Sequence, residues 1–172
     1  MLERLVEFFQ SILSLFQFWT VVDQYENGIV LRLGKFYREL DPGFHWVIPL
    51  GVDRVLCENV ALETKNLGTQ SLTTKDGQFV IVGVVLSYRI KDVKKFLLEV
   101  EDADSVLKDS TYGVVGEYVA SSTWEEISKL ETQTEIHQEI RKKAFRWGIE
   151  VVTLQFSDIS KSKTIRLITG LT

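Results

Sequence analysis

The run Phe79-Val-Ile-Val-Gly-Val-Val-Leu-Ser-Tyr-Arg-Ile90 is apolar at odd and even positions alike for most of its length. A strand with one wet face alternates, so this run predicts a central strand covered on both faces by a helix layer or a second sheet. Lys75-Asp76-Gly77 precedes it, and Asp-Gly suits a tight type I′ connection, so Leu67–Thr74 pairs with Gln78–Ile90 as a hairpin. Gly83, in the middle of the run, marks a bulge or a close approach of another backbone. A chain built around such a strand needs further strands beside it and helices above it.

Both are present in the pattern. Gly28-Ile-Val-Leu-Arg-Leu-Gly34 reads as a strand bounded by glycines, with Lys35–Leu40 as its partner. Asp41-Pro42-Gly43 has turn chemistry, Phe44–Pro49 is an apolar strip, and Asp53–Thr64 reads as another strand. After Lys91 the period becomes helical. Asp92 caps a short helix to Val100, and a second helix runs from about Ala103 to Val119. Thr132-x-x-Glu135 has the form of a capping box, opening a helix with Ile136, Ile140 and Ala144 on one face and Gly148 as its stop. Ile149–Phe156 alternates as a last strand, and Ser160–Leu171 reads as a short amphipathic tail. The fold class is α+β, a mixed or antiparallel sheet with packed helices. The division is 1–22 as an N-terminal helix, 23–159 as one domain and 160–172 as a tail.

Residues 1–22 have a different character. Leu2, Leu5, Val6, Phe9, Ile12, Leu13, Phe16 and Trp19 fall on one helical face, broadened by Phe8, Leu15 and Phe18. The longest stretch without charge, Phe8 to Val22, has 15 residues and contains Gln10, Ser11, Ser14 and Gln17, short of the roughly 20 apolar residues of a straight bilayer crossing. Glu3 and Glu7 around Arg4 are not the cationic start of a signal peptide. The reading is an amphipathic helix lying in one leaflet, with packing on this protein's own core and a tilted single span as alternatives. With so little Lys and Arg in the segment, its lipid affinity is hydrophobic and only weakly salt-sensitive. An in-plane helix places the domain on the cytoplasmic face, since nothing here translocates it.

The chain carries 24 Asp and Glu against 20 Lys and Arg, a net charge of −4, which disfavours nucleic acid as a partner. A single Cys and 2 His exclude an internal disulfide and argue against a Cys/His metal site. Cys57 falls within a predicted strand and reads as structural. His45 reads as a hydrogen-bonded structural histidine, and His137 as a solvated residue on the polar flank of its helix. We find no nucleophile elbow, phosphate loop or HExxH, so no enzyme, catalytic residue, metal or cofactor is expected.

Four segments in order, Gly28-Ile-Val-Leu-Arg-Leu-Gly-Lys35, Pro42-Gly-Phe-His-Trp-Val-Ile-Pro49, Thr73-Thr-Lys-Asp-Gly-Gln-Phe-Val80 with the strand to Ile90, and Arg146-Trp-Gly-Ile-Glu-Val151, resemble the SPFH (Band 7) superfamily. That superfamily contains stomatins, prohibitins, flotillins and bacterial regulators of a membrane-bound AAA protease, and the resemblance covers about residues 20–160. It implies a membrane-anchored scaffold whose copies assemble laterally into rings or cages. It also implies a domain of two halves, the first close to lipid, with Phe44 and Trp46 dipping into the interface. Family members usually continue into a long coiled coil. No sustained heptads follow Ser160 here, so a ring must be built by the domain itself, be smaller and looser, or recruit a longer partner. The cationic Arg141-Lys142-Lys143 and the acidic stretch holding Glu101 and Asp104 are candidates for a joint between subunits, with lipid headgroups as another partner of the cationic run and solvated surface as the alternative to both.

Three functions follow as expectations: a homo-oligomeric membrane scaffold, a regulator of a membrane protease, or a soluble structural subunit whose first helix docks on another protein.

Overall fold

The computed structural model describes residues 18–161. The helical face expected over Leu2 to Phe16 and the tail beyond Lys161 lie outside the described residues. Eight strands and four helices follow in order: β1 (Trp19–Val22), β2 (Glu26–Arg32), β3 (Lys35–Leu40), β4 (Gly43–Trp46), β5 (Asp53–Asn59), β6 (Glu63–Thr73), β7 (Phe79–Ile90), α1 (Val93–Leu98), α2 (Ala103–Ser121), α3 (Trp124–Ile127), α4 (Leu130–Phe145) and β8 (Ile149–Lys161). They form two compact units. Among the described residues, unit 1 holds 18–61 and 90–101, and unit 2 holds 62–89 and 102–161.

In unit 1, β2 is the middle strand of an antiparallel sheet ordered β3-β2-β5. Its neighbours Ile29 and Val30 are both fully buried, and because successive side chains point to opposite faces they start two separate clusters. Val30 packs with Val22 and Leu40, flanked by Val55 and Cys57. Ile29 packs with Ile90 and Val93, flanked by Leu31, Leu56, Phe96 and Leu97, so α1 covers that face. Asp92 caps α1 as expected, its carboxylate accepting the Lys95 N–H at 2.9 Å. β1 and β4 make a separate antiparallel ribbon.

In unit 2 the sheet order is β6-β7-β8, so β7 is central as its composition requires. The Arg89–Glu150 ion pair near one end and the Gly83–Ser157 approach further along make β8 antiparallel to β7. Val80, Val82, Val84, Leu86 and Tyr88 are buried. Leu107, Val114, Val115 and Val119 of α2, which packs on β6, and Ile136, Ile140 and Ala144 of α4, which packs on β8, are buried as well. The other face is only half-buried at Ile81 and Val85, whose partners across β6 are Ser71 and Asn66. Full cover on both faces, expected from the continuous apolar run, is therefore corrected: β-branched residues at those positions suit an extended backbone without needing a second layer. At Gly83 the close neighbour is a side chain and not another backbone: a Cβ there would lie 2.5 Å from the Ser157 hydroxyl and 3.4 Å from the Asp158 backbone nitrogen. The bulge falls instead on β6, between Asn66 and Gly68.

Other expectations change in detail. Trp19–Val22, taken as the end of the N-terminal helix, is strand β1, because Trp, Val and Val pair with β4 and Val22 fills the unit 1 core. The expected strand Asp53–Thr64 is broken after Asn59, whose side-chain carbonyl accepts the Ala61 N–H at 2.8 Å and turns the chain. The helix assigned a capping box at Thr132 begins earlier, at Leu130, and the Thr132 hydroxyl donates to the Glu126 carbonyl at 2.6 Å. The box itself is at Thr123 and Glu126, the same spacing one helix earlier, with the Glu126 carboxylate accepting the Thr123 N–H at 2.7 Å. Gly148 does end α4, at φ 77°. His137 is half-buried with Nε2 3.4 Å from the Val151 carbonyl, not simply solvated. Ser160 and Lys161 belong to β8.

Gly28 sits where β2 and β5 approach most closely: a Cβ there would lie 2.8 Å from both Cys57 Sγ and the Leu56 carbonyl oxygen. The carbonyl cannot rotate away as a side chain would. Gly28→Ala should destabilise the protein by about 1–3 kcal/mol in urea unfolding, the usual range for overpacking.

Candidate membrane interface

The β1–β4 ribbon has two unlike faces. Its register places Trp19 opposite Trp46 and Val21 opposite Phe44, with Thr20–His45 and Val22–Gly43 between them. Side chains alternate across a strand, so Trp19, Val21, Phe44 and Trp46 share one face. All four are exposed, Val21 at 63% and Trp46 at 68%. On the opposite face Val22 is buried in the unit 1 core. The Phe44 and Trp46 rings meet edge to face at 5.3 Å. His45 points away from them with Nε2 2.6 Å from the Asp41 carbonyl, a structural hydrogen bond in which the ring nitrogen donates.

The chain beyond the ribbon is held by ion pairing. Val47 N–H donates to the Phe18 carbonyl at 2.8 Å, prolonging the ribbon, and Arg38 donates to the Trp46 carbonyl at 2.7 Å. The Asp53 side chain, 1% exposed, accepts from Arg32 Nε at 2.8 Å and Nη2 at 3.0 Å, and from the Ile48 N–H at 2.8 Å. The Arg32 guanidinium lies 3.7 Å from the Tyr37 ring centre. Hydrogen bonds from Arg32 hold the Asp53 carboxyl below the usual carboxylate range against the opposing effect of burial, with the Ile48 N–H adding to them. Cys57 is half-buried against the Val22–Val30–Leu40 cluster, and burial pushes its thiol up, as suits a structural cysteine.

Of the lipid-facing residues expected from sequence, Trp19, Phe44 and Trp46 come together here and Phe18 is exposed just before β1, while Leu2, Leu5, Val6, Phe8, Phe9, Ile12, Leu13 and Phe16 lie outside the described residues. Sequence reasoning missed Val21, whose alternation with Trp19 was hidden by assigning both to a helix. It also missed Arg32, Asp53 and Arg38, which only the strand register brings to the ribbon.

The residues considered for a subunit joint divide. Glu101 is exposed. Asp104 is engaged within unit 2, accepting from Lys65 at 2.8 Å and from the Tyr88 hydroxyl at 2.6 Å. Burial and the adjacent Asp104 push the Tyr88 phenol upward. Lys143 lines a groove between α2 and α4 with Glu117, Glu135 and Glu139. Arg141 and Lys142 flank the exposed Phe145 on the outer side of α4, around an open hollow of about 540 Å³. Among the described residues no helix is long and apolar enough to cross a membrane, and no cluster of His, Cys, Asp or Glu is placed to hold a metal ion.

An α+β chain of two units with this order of strands and helices matches the profile of the SPFH domain / Band 7 family over residues 20–168. The chain belongs to that family. It is 26% identical over 148 residues to an uncharacterised protein of Methanocaldococcus jannaschii, with 85% of this chain and 74% of that protein covered. It is 30% identical over 156 residues to protein HflK of Vibrio cholerae, covering 87% of this chain and 38% of HflK. With HflK of Escherichia coli, named a modulator of FtsH protease, it shares 29% identity over 146 residues, 81% of this chain and 34% of that protein. The chain thus spans well under half the length of these HflK relatives.

The Asp53 clamp has a sign-defined pH dependence. A carboxyl with a depressed folded pKa contributes stability above its unfolded value, about 3.9, and that stability disappears as pH falls through the folded value. The amide proton shift of Ile48 should therefore titrate with a midpoint below about 3.9. In Asp53→Asn the transition should vanish.

Proposed function

We propose that this chain is a non-catalytic membrane module whose copies assemble side by side, as a ring or cage, to organise a patch of membrane and the proteins within it. The outer face of the β1–β4 ribbon and residues 1–17 would make the lipid contact, on the cytoplasmic side. The observation that carries this reading is the pairing of Trp19 with Trp46 and Val21 with Phe44 on an exposed face whose reverse sends Val22 into the core. Tryptophan combines an apolar body with one polar N–H and gathers at the boundary between headgroups and acyl chains. Membership of the SPFH family supports the scaffold reading. Lateral contacts would run from Arg141 and Lys142, on the outer side of α4, to acidic groups such as Glu101 of a neighbouring copy, while Asp104 and Lys143 face acidic or cationic partners in their own unit.

A second reading, regulation of a membrane protease, is favoured by the name of the Escherichia coli relative. It would act through the same membrane-bound assembly, so the two readings are distinguished by whether a protease co-purifies with the full chain from detergent-solubilised membranes.

The ribbon is tested by flotation of the full-length protein on liposomes. Phe44→Ser with Trp46→Ser should lower the bound fraction at least tenfold, since burying each such side chain is worth roughly 1.5–3 kcal/mol. Wild-type flotation by this double variant would dismiss the ribbon as the contact. For assembly, Arg141→Glu with Lys142→Glu should reduce the oligomer size seen by light scattering, and an unchanged size would remove α4 from the joint.

A further inference from the structure

Two large residues of unit 1 adopt the left-handed conformation: Leu33 at φ 50° and Leu50 at φ 63°. Each precedes a glycine at positive φ, Gly34 at 81° and Gly51 at 76°, which gives the backbone of a type I′ turn. That turn favours Asn-Gly, because in this conformation a Cβ crowds the following carbonyl oxygen and a short polar side chain relieves the strain by local hydrogen bonding. Both leucines are exposed, at 76% and 67%, so burial does not account for them. Strain held at an exposed apolar tip points to a use outside the fold.

The two tips stand at one end of unit 1. Leu33 N–H donates to the Val52 carbonyl at 2.7 Å, and Arg32 lies directly opposite Asp53. The Trp19–Trp46 pair is at the same end, joined through Val47 and through the Ile48 N–H on Asp53.

Charge is sorted along the same axis. Every base in residues 18–61, namely Arg32, Lys35, Arg38 and Arg54, lies beside these turns. Lys35 is opposite Arg32, Arg54 is opposite Leu31, and Arg38 holds the Trp46 carbonyl. Asp53 is the one acid among them, and Arg32 takes it. Of the remaining acids in residues 18–61, Glu26 and Glu58 lie at the opposite end, opposite Asn59 and Asn27, Glu39 is in mid-strand opposite Ile29, and Asp23 and Asp41 stand outside the strands; residues 90–101 add Lys91, Lys94 and Lys95 against Asp92, Glu99 and Glu101. Lys35 and Arg54 are exposed, and neither forms an ion pair with a carboxylate among the described residues.

We propose that this end of unit 1 docks on acidic lipid headgroups, with Leu33 and Leu50 entering the boundary with the acyl chains and Lys35, Arg38 and Arg54 over the phosphates. The inference rests on the membrane reading above and adds a lipid class to it. A neutral surface would satisfy the leucines and leave the basic collar without partners. The whole chain, at −4, is repelled by an anionic surface, so attraction requires a local basic patch, and this end supplies it.

The test uses the full chain with phosphatidylcholine vesicles and with the same vesicles containing phosphatidylglycerol. Wild type should bind the anionic vesicles more tightly at low salt, and high salt should erase the difference. Lys35→Gln with Arg54→Gln should lower affinity for anionic vesicles by roughly fivefold per charge and leave neutral vesicles unaffected. Leu33→Asn with Leu50→Asn suits the turn geometry, so its melting temperature should hold or rise while binding to both vesicle types falls. Equal binding of wild type to the two vesicle types, or wild-type affinity in the Lys35/Arg54 variant, overturns the lipid class and leaves the ribbon reading standing if the Phe44/Trp46 variant still releases the protein. Intact flotation of the Leu33/Leu50 variant with a smaller oligomer makes the tip a subunit joint and overturns the inference. Failure to bind any vesicle overturns both readings.

Discussion

Asp53 is a charged side chain buried to 1% exposure, and the surface of unit 1 depends on how that charge is held. An unpaired carboxylate out of water would carry a penalty of several kcal/mol. Here two guanidinium N–H groups and one backbone N–H converge on it, each a charge-assisted bond. The three donors come from different places: Arg32 from the end of β2, Ile48 from the segment after the ribbon. One carboxylate therefore ties the sheet to the loop that follows β4. The Tyr37 ring lies against the guanidinium and adds a cation–π contact to the pair. With the loop fixed at both ends by Asp53 and at Trp46 by Arg38, the ribbon is held with its apolar face outward.

Two-residue periodicity lets that ribbon serve two environments at once. Val22 contributes to the core beside Val30 and Leu40, while Val21, one residue away, is exposed. In a helix the same four residues would have spread around the axis, and the apolar face would have been continuous with that of residues 1–17. As a strand, the segment gives unit 1 an aromatic face made by cross-strand pairing with β4.

That switch also shows what the sequence could and could not reveal. The pairing of β6 with β7 across Asp76-Gly77, the central position of β7, the caps at Asp92 and Gly148 and the buried face Ile136–Ile140–Ala144 follow from local chemistry, whereas the type I′ turn expected at Asp76-Gly77 does not form, because only Gly77 of the two has positive φ. Trp19–Val22 was misread because a short apolar run fits both periods, and the decision is made by β4, distant in sequence. Thr132 was misread because the same Thr-x-x-Glu spacing occurs twice, and tertiary packing chose Thr123. The Arg32–Asp53 pair left no trace in the sequence at all: Arg and Asp far apart are ordinary background until the β2–β5 register sets them face to face. Sites made by register are the part of a fold that composition and periodicity do not encode.

The family profile covers both units, and the HflK relatives share this region while extending well beyond it. The region this chain shares with each of them is this domain, and the domain offers surfaces. In unit 1 the surface is aromatic at the ribbon and basic around the turn tips; in unit 2 it is Arg141, Lys142 and Phe145 on the outer side of α4. On the proposed reading these surfaces have different tasks. Apolar and aromatic groups partition into lipid with little regard for salt, whereas charged groups between copies work at short range and are screened beyond about 8–10 Å at physiological ionic strength. A module that uses the first to stay on a membrane and the second to find its neighbours can be released from the assembly by salt without leaving the bilayer, and that separation is what distinguishes a scaffold from a peripheral protein that merely adsorbs.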